Sequence, residues 1–106
     1  MSDHDDKYKS TWVTARYFSF RGSDYVGTPV ISSIIARIDD HHDDGYIRLF
    51  DETNDNVIAE WGPISNESMQ IYTTTPSNIP NEKAIFSVQG KCDSQWLYLY
   101  SLSLEF

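Results

Sequence analysis

Asp39, Asp40, His41, His42, Asp43 and Asp44 run together ahead of Gly45, placing four carboxylates around two imidazoles. Hard oxygen donors of this kind suit Ca²⁺, and imidazoles suit a transition metal. Counting from Asp40, Asp44 and Gly45 fall at the fifth and sixth places of an EF-hand-like loop and Asp51 at the twelfth. His42 occupies the third place and Arg48 the ninth, however, and no helix is expected on either side. A solvated loop between strands accounts for the segment more simply, so no metal and no cofactor is assigned. Catalytic groupings are sparser still. Cys92 follows Gly90 and Lys91 with no histidine at hand, which fits a turn or partly buried thiol better than a nucleophile. Glu60 and Glu67 are one pair of acids among many. A glycine-rich phosphate loop, a nucleophile elbow and a His-Glu-x-x-His pattern are all missing from the sequence. The expectation is a protein that is not an enzyme.

Aromatic residues carry the other chemistry on offer. Three tryptophans and seven tyrosines can stack on the apolar faces of sugars, and Tyr46, Trp61, Tyr72, Tyr98 and Tyr100 are the candidates for a carbohydrate-binding surface. The same residue types fill cores and pair across strands, and most of them are expected to do that, Trp96 included.

The elements that must position these residues read as strands. Val, Ile, Thr, Phe, Tyr and Trp make up 37 of 106 residues, against four Ala and five Leu, a bias towards pleated surfaces and away from helices. Trp12, Thr14, Arg16, Phe18 and Phe20 alternate with Val13, Ala15, Tyr17 and Ser19, the period of an extended segment. Further strands are expected at Val30 to Ile38, Tyr46 to Asp51, Val57 to Trp61, Met69 to Thr75, Ala84 to Gln89 and Trp96 to Phe106. In the last of these Trp96, Tyr98, Tyr100, Leu102, Leu104 and Phe106 share one phase. Glu52 to Asn56 joins two arms of a hairpin, because Asp and Asn tolerate left-handed backbone and cap turns locally. Gly62 and Pro63 are expected to end the second arm. Seven strands, or eight if Tyr8 to Ser10 pairs, imply a single all-β domain, a β-sandwich of antiparallel strands. The long crossings at Gly22 to Pro29 and Pro76 to Asn81 favour Greek-key or jelly-roll order over a meander. Residues 1–10 are expected to be a flexible acidic arm and 11–106 the sandwich.

Two strands carry apolar residues in both phases: Ile31 and Ile35 opposite Ile34 and Ile38, and Leu97 and Leu99 opposite Tyr98 and Tyr100. A sandwich buries one face of each sheet, so Ile31, Ile35, Leu97 and Leu99 are the candidates for a partner interface. Self-assembly is a natural route to further burial for a chain of 12.2 kDa.

Charge narrows the partners. Sixteen acids against eight basic residues give −8 and a pI near 4.5, which opposes attraction to nucleic acid or to an anionic membrane surface. Ten of the sixteen lie in three segments: Asp3 to Asp6, Asp39 to Asp44 and Asp51 to Asp55. These are expected to gather at one end of the molecule, leaving a near-neutral body. The start of the sequence is acidic, unlike the basic, then apolar, pattern of a secretory signal, and no stretch approaches a membrane span. A single cysteine fits synthesis in a reducing cytoplasm.

Several strand and turn sequences carry a resemblance. Gly27-Thr28-Pro29, Ile47 through Asn54 with Val57 through Glu60, Asn78-Ile79-Pro80 before Ala84-Ile85-Phe86, and the closing Leu97 through Phe106 together resemble small β-sandwich proteins of tailed phages and environmental viruses. The resemblance implies a virion location after synthesis in the host cytoplasm. It implies a structural role such as head decoration, capsid cement or a fibre module. It also implies a homo-oligomer, a trimer by analogy, in contact with a major virion protein. A glycan-binding module is the alternative, because sugar-binding jelly rolls end in similar strands.

Overall fold

A computed structural model describes residues 9–21, 30–39, 44–92 and 97–105, without the side chains of 9–11, 13 and 15. Its seven strands are β1 (Lys9–Phe20), β2 (Ile31–Ile38), β3 (Gly45–Asp51), β4 (Asn56–Ile64), β5 (Gln70–Thr74), β6 (Ala84–Cys92) and β7 (Leu97–Glu105). The described residues contain no helix, as the scarcity of Ala and Leu implies. The strands form two antiparallel sheets, one of four strands in the order β1-β6-β3-β4 and one of three in the order β5-β2-β7. The fold is therefore a β-sandwich. β6 inserts between β1 and β3 and β7 pairs at the edge with β2, so the chain is not a meander.

The core lies between the sheets, where alternate residues meet. Ile34, Ala36 and Ile38 of β2 face Ile47 and Leu49 of β3, Ile58, Trp61 and Ile64 of β4, and Phe86 and Val88 of β6. Each large side chain buried here contributes about 1.5–3 kcal/mol. Trp61 is 2% exposed, and its indole Nε1 donates to the Ser32 carbonyl in the opposite sheet at 3.2 Å, a polar tie across an otherwise apolar layer. β4 packs against β2 and β5, and β6 against β7, which leaves β1 at the margin of the four-stranded sheet. Phe20 still stacks on Phe86 at 4.8 Å between ring centroids, whereas Phe18, edge-on to the same ring at 5.7 Å, remains partly exposed.

Register shifts in β1, β4 and β7 change which residues point inward. In β7, Ala36 pairs with Leu99 and Ile35 with Ser101, so Tyr100 is an extra residue that β2 does not match. A bulge of one residue inverts the phase of everything beyond it. Leu97 and Leu99 point inward before it, and Leu102 and Leu104 pack against the core after it. Leu97, 1% exposed, and Leu99, 9%, are thus core residues and not the outward interface residues expected from an unbroken phase. A second shift, between Thr14 and Arg16 of β1, puts Thr14 and Tyr17 beside Gln89 and Ser87 on the outer face, with Phe18 and Phe20 beside Phe86 and Ala84 on the inner.

Other boundaries also differ from expectation. β1 begins at Lys9, paired with Cys92, so two residues assigned to the arm belong to the sheet, while residues 1–8 lie outside the described residues. β4 continues through Gly62 and Pro63 to Ile64, across a cis peptide. It tolerates a proline because β3 is its one sheet neighbour, which leaves an edge that needs no ladder donor. Gly62 has φ +149° and lies under the Tyr46 ring: a Cβ there would sit 3.0 Å from Tyr46 Cε1 and 3.1 Å from the Gly45 carbonyl. The β3–β4 turn is as expected. Asp51, fully buried, accepts from the Asn54 backbone at 3.0 Å and from Asn54 Nδ2 at 2.7 Å, and Asp55 takes a left-handed φ of 58°. Because β3 separates Asp39 and Asp44 from Asp51 to Asp55, these acidic segments sit at opposite ends of the sandwich instead of one.

Candidate interaction surfaces

The outer face of the four-stranded sheet is built around Arg48. Its cross-strand partner is Gln89, and Phe50 and Tyr46 flank it two residues away on the same side. The guanidinium carbon lies 4.4 Å from the centre of the Trp12 ring and 4.7 Å from that of Phe50, with both rings offering their electron-rich faces to the cation. Arg48 Nε donates to Gln89 Oε1 at 2.6 Å. Gln89 Nε2 in turn reaches Ser87 Oγ at 3.1 Å, Glu52 Oε2 at 3.1 Å and Thr14 Oγ1 at 3.4 Å, and Ser87 Oγ donates to Glu52 Oε2 at 2.6 Å. Lys91 adds a second cation, 4.7 Å from the Trp12 ring and 5.5 Å from that of Tyr46. Burial pulls the Arg48 pKa below its ordinary value, an effect opposed by Glu60, Glu52 and Asp55. The group remains a cation. Among the described residues no buried side-chain polar atom lacks a hydrogen-bond partner, so this face satisfies itself.

The outer face of the three-stranded sheet has a different character. Ile31, Ser33, Ile35 and Arg37 point outward from β2; Ile71 and Thr73 lie beside Ile35 and Ser33 on β5; Tyr98, Ser101, Ser103 and Glu105 lie on β7. Ile71 is 68% exposed, and Met69, Ile31 and Val30 are also largely exposed. Arg37 and Glu105 are the charged residues of these three strands, at opposite ends of the face. Arg37 is held in place. Its guanidinium carbon sits 4.2 Å from the centre of the Tyr98 ring, Nε donates to Tyr100 Oη at 2.8 Å, and one Nη donates to the Ile38 carbonyl at 3.3 Å. Ser33 and Ser103 share a 3.2 Å hydrogen bond across the sheet.

The residues singled out by sequence divide between surfaces. Ile31 and the half-buried Ile35 do face outward on one face, separated by Ser33, and Ile35 has beside it Ile71, which sequence reasoning missed. Leu97 and Leu99 do not join them. The five sugar-stacking candidates fail to converge. Trp61 is inside the core; Tyr72, opposite Ile34, packs on it from β5, and burial raises its pKa; Tyr46 is on the outer face of the four-stranded sheet; Tyr98 and Tyr100 are on the outer face of the other, engaged by Arg37. Cys92 is a buried thiol near the end of β6. Asp40 to Asp43 and Trp96 lie outside the described residues, and the described ones contain no group of three His, Cys, Asp or Glu placed to hold a metal ion. The Arg48 network was illegible because an outward arginine on a strand reads as solvated; the one signal was its placement between Tyr46 and Phe50. Comparison with protein-family models, curated proteins and solved structures finds no match to this chain.

Proposed function

We propose that this protein is a non-catalytic β-sandwich that acts by protein–protein contact through the outer face of its three-stranded sheet. We propose further that it does so as a structural component of a virion, as head decoration, capsid cement or a fibre module, touching copies of itself and a major virion protein. One observation carries the contact: Ile35 and the exposed Ile71 pair on the outer face beside Arg37, Tyr98 and Tyr100, with the exposed Ile31 beyond Ser33 at the far end of the same face. Single exposed apolar residues are ordinary, but a grouped set beside an ordered Arg and two Tyr has the composition of an interface core. The virion setting is supported by the resemblance of the strand and turn sequences to phage β-sandwich proteins.

Two measurements test it. Sedimentation velocity from micromolar to several hundred micromolar protein should show association that Ile71→Lys abolishes; a strict monomer, or association indifferent to Ile71→Lys, refutes use of this face. Mass spectrometry of density-gradient particle fractions from the source should find the protein in stoichiometric amounts with intact virions. Its confinement to the soluble fractions refutes the virion role.

A further inference from the structure

We propose that the outer face of the three-stranded sheet is a two-fold self-association surface. Two copies stack with their β2 strands antiparallel and β7 over β7, so that Glu105 of each closes on Arg37 of the other. This rests on the reading that the face makes protein contacts, and adds to it the occupant and its orientation.

Charge sets the orientation. Arg37 pairs with Tyr98 at one end of the face, and Glu105 pairs with Ile31 at the other. A two-fold axis in the plane of contact can run along the strands or across them. Along the strands, β2 lies parallel over β2 and the two Arg37 side chains meet, which like-charge repulsion opposes. Across the strands, β7 covers β7 in reverse and Glu105 of one copy lies over Tyr98 of the other, beside Arg37, twice. A guanidinium has five N–H donors, and the contacts made by Arg37 within the described residues engage two of them, so a carboxylate can still be received.

Shape agrees with the same axis. Centred between Ser33 and Ile35, it puts Ile35 of one copy over Ser33 of the other and Ile71 over Thr73. Large side chains then meet small ones at these two positions, the arrangement by which stacked sheets interdigitate, while Ile31 of each copy lies over Arg37 of the other. Asp44 and Asp51 to Asp55 flank β3 of the other sheet, off this face, while Asp39 follows Arg37 by two residues at its edge. Three strands spaced about 4.8 Å apart and eight residues long at about 3.3 Å each give a footprint of roughly 14 by 26 Å. That is small against the roughly 800 Å² per partner of a standard interface, so the dimer should be weak in dilute solution. Copies fixed on a common particle would associate far more completely, since tethering raises effective concentration to about the millimolar range.

The test is a charge swap read by sedimentation equilibrium on the full chain, with urea midpoints confirming that each variant folds. Arg37→Glu and Glu105→Arg should each weaken dimerisation tenfold or more, and the double variant should return it to within about threefold of the parent. Raising salt from about 0.05 to 0.5 M should weaken the parent dimer too. A trimer, or a dimer that the single reversals leave intact or the double reversal fails to restore, overturns the two-fold arrangement. If Ile71→Lys still abolishes association in that case, the contact face stands and its symmetry alone falls; if Ile71→Lys has no effect, both fall.

Discussion

Deleting Tyr100 removes the residue that re-phases β7, and the pairing on either side of it should survive. Leu99 already lies opposite Ala36 and Ser101 opposite Ile35, so without Tyr100 these two become ordinary consecutive partners and every leucine keeps its side. The losses are one exposed hydrogen bond, Arg37 Nε to Tyr100 Oη, and contacts of a ring that is already half exposed. Together these amount to about 1 kcal/mol. Deleting Tyr98, the other tyrosine held by Arg37, has a different outcome. With Leu97 and Ser101 fixed opposite Ile38 and Ile35, Leu99 moves to the outer face and Tyr100 enters the core in its place. Exposing a leucine costs about 1.5–3 kcal/mol, and forcing a tyrosine into a leucine-sized space costs about 1–3 kcal/mol more. A chain of this size has about 5–15 kcal/mol of stability, so the second deletion threatens the fold while the first does not. Urea unfolding followed by tryptophan fluorescence checks this: the two midpoints should differ by about 1–2 M at similar slope. Equal midpoints, or a lower one for the Tyr100 deletion, would refute the bulge as the reason Leu97 and Leu99 are buried.

Three further outcomes are expected. Gly62→Ala should destabilise the protein by about 2–3 kcal/mol, from a β-carbon at positive φ that also meets the Tyr46 ring; in a Tyr46→Ala background the penalty should fall by half or more in thermal or urea melts. Arg48→Met leaves Gln89 Oε1 without its donor in a largely buried position and should cost about 1–3 kcal/mol. Adding Gln89→Leu should restore part of that loss, and strict additivity in the double-mutant cycle would deny the coupling. Burial holds the Tyr72 phenol protonated above its ordinary pKa of 10.0. The folded state then keeps a proton that the unfolded state has released, so this contribution to stability is complete below pH 10 and is lost as pH rises through the folded pKa. Phenolate absorbance should show a late-ionising tyrosine disappear in Tyr72→Phe.

Much of the fold was legible because strand formation here is a matter of residue type and local turn chemistry. The hairpin at Glu52 to Asn56 needed one left-handed residue and a carboxylate to cap it, and Asp55 and Asp51 supply both. The bulges were not legible in the same way, since neither Ala15 nor Tyr100 is a residue that marks an irregular backbone. In β7 the signal was nevertheless present: its leucines are odd-numbered at 97 and 99 and even-numbered at 102 and 104, so a single phase could not bury all four. β1 offers no comparable clue, because its aromatics occupy both phases. Gly62 and Pro63 read as the end of a strand because glycine weakens a strand and proline removes a ladder donor, but at a sheet edge a missing donor has little to break.

The difference between the two outer faces is what gives the candidate site its location. Both carry an arginine stacked on aromatic rings. On the four-stranded sheet Arg48 lies between Trp12 and Phe50 and donates to Gln89, whose amide is tied to Ser87 and Glu52, so its charge and polarity are answered within the chain. A ligand there would have to break contacts before making any. On the three-stranded sheet Arg37 is immobilised by Tyr98 and Tyr100, and Ile71 on the same face stays largely in water. Such a surface has already lost the side-chain entropy that binding would otherwise remove, while retaining apolar area and further guanidinium donors. Self-contact suits it for a further reason: the complementary charge, Glu105, is carried at the opposite end of the same face, where a two-fold axis across the strands returns it to Arg37.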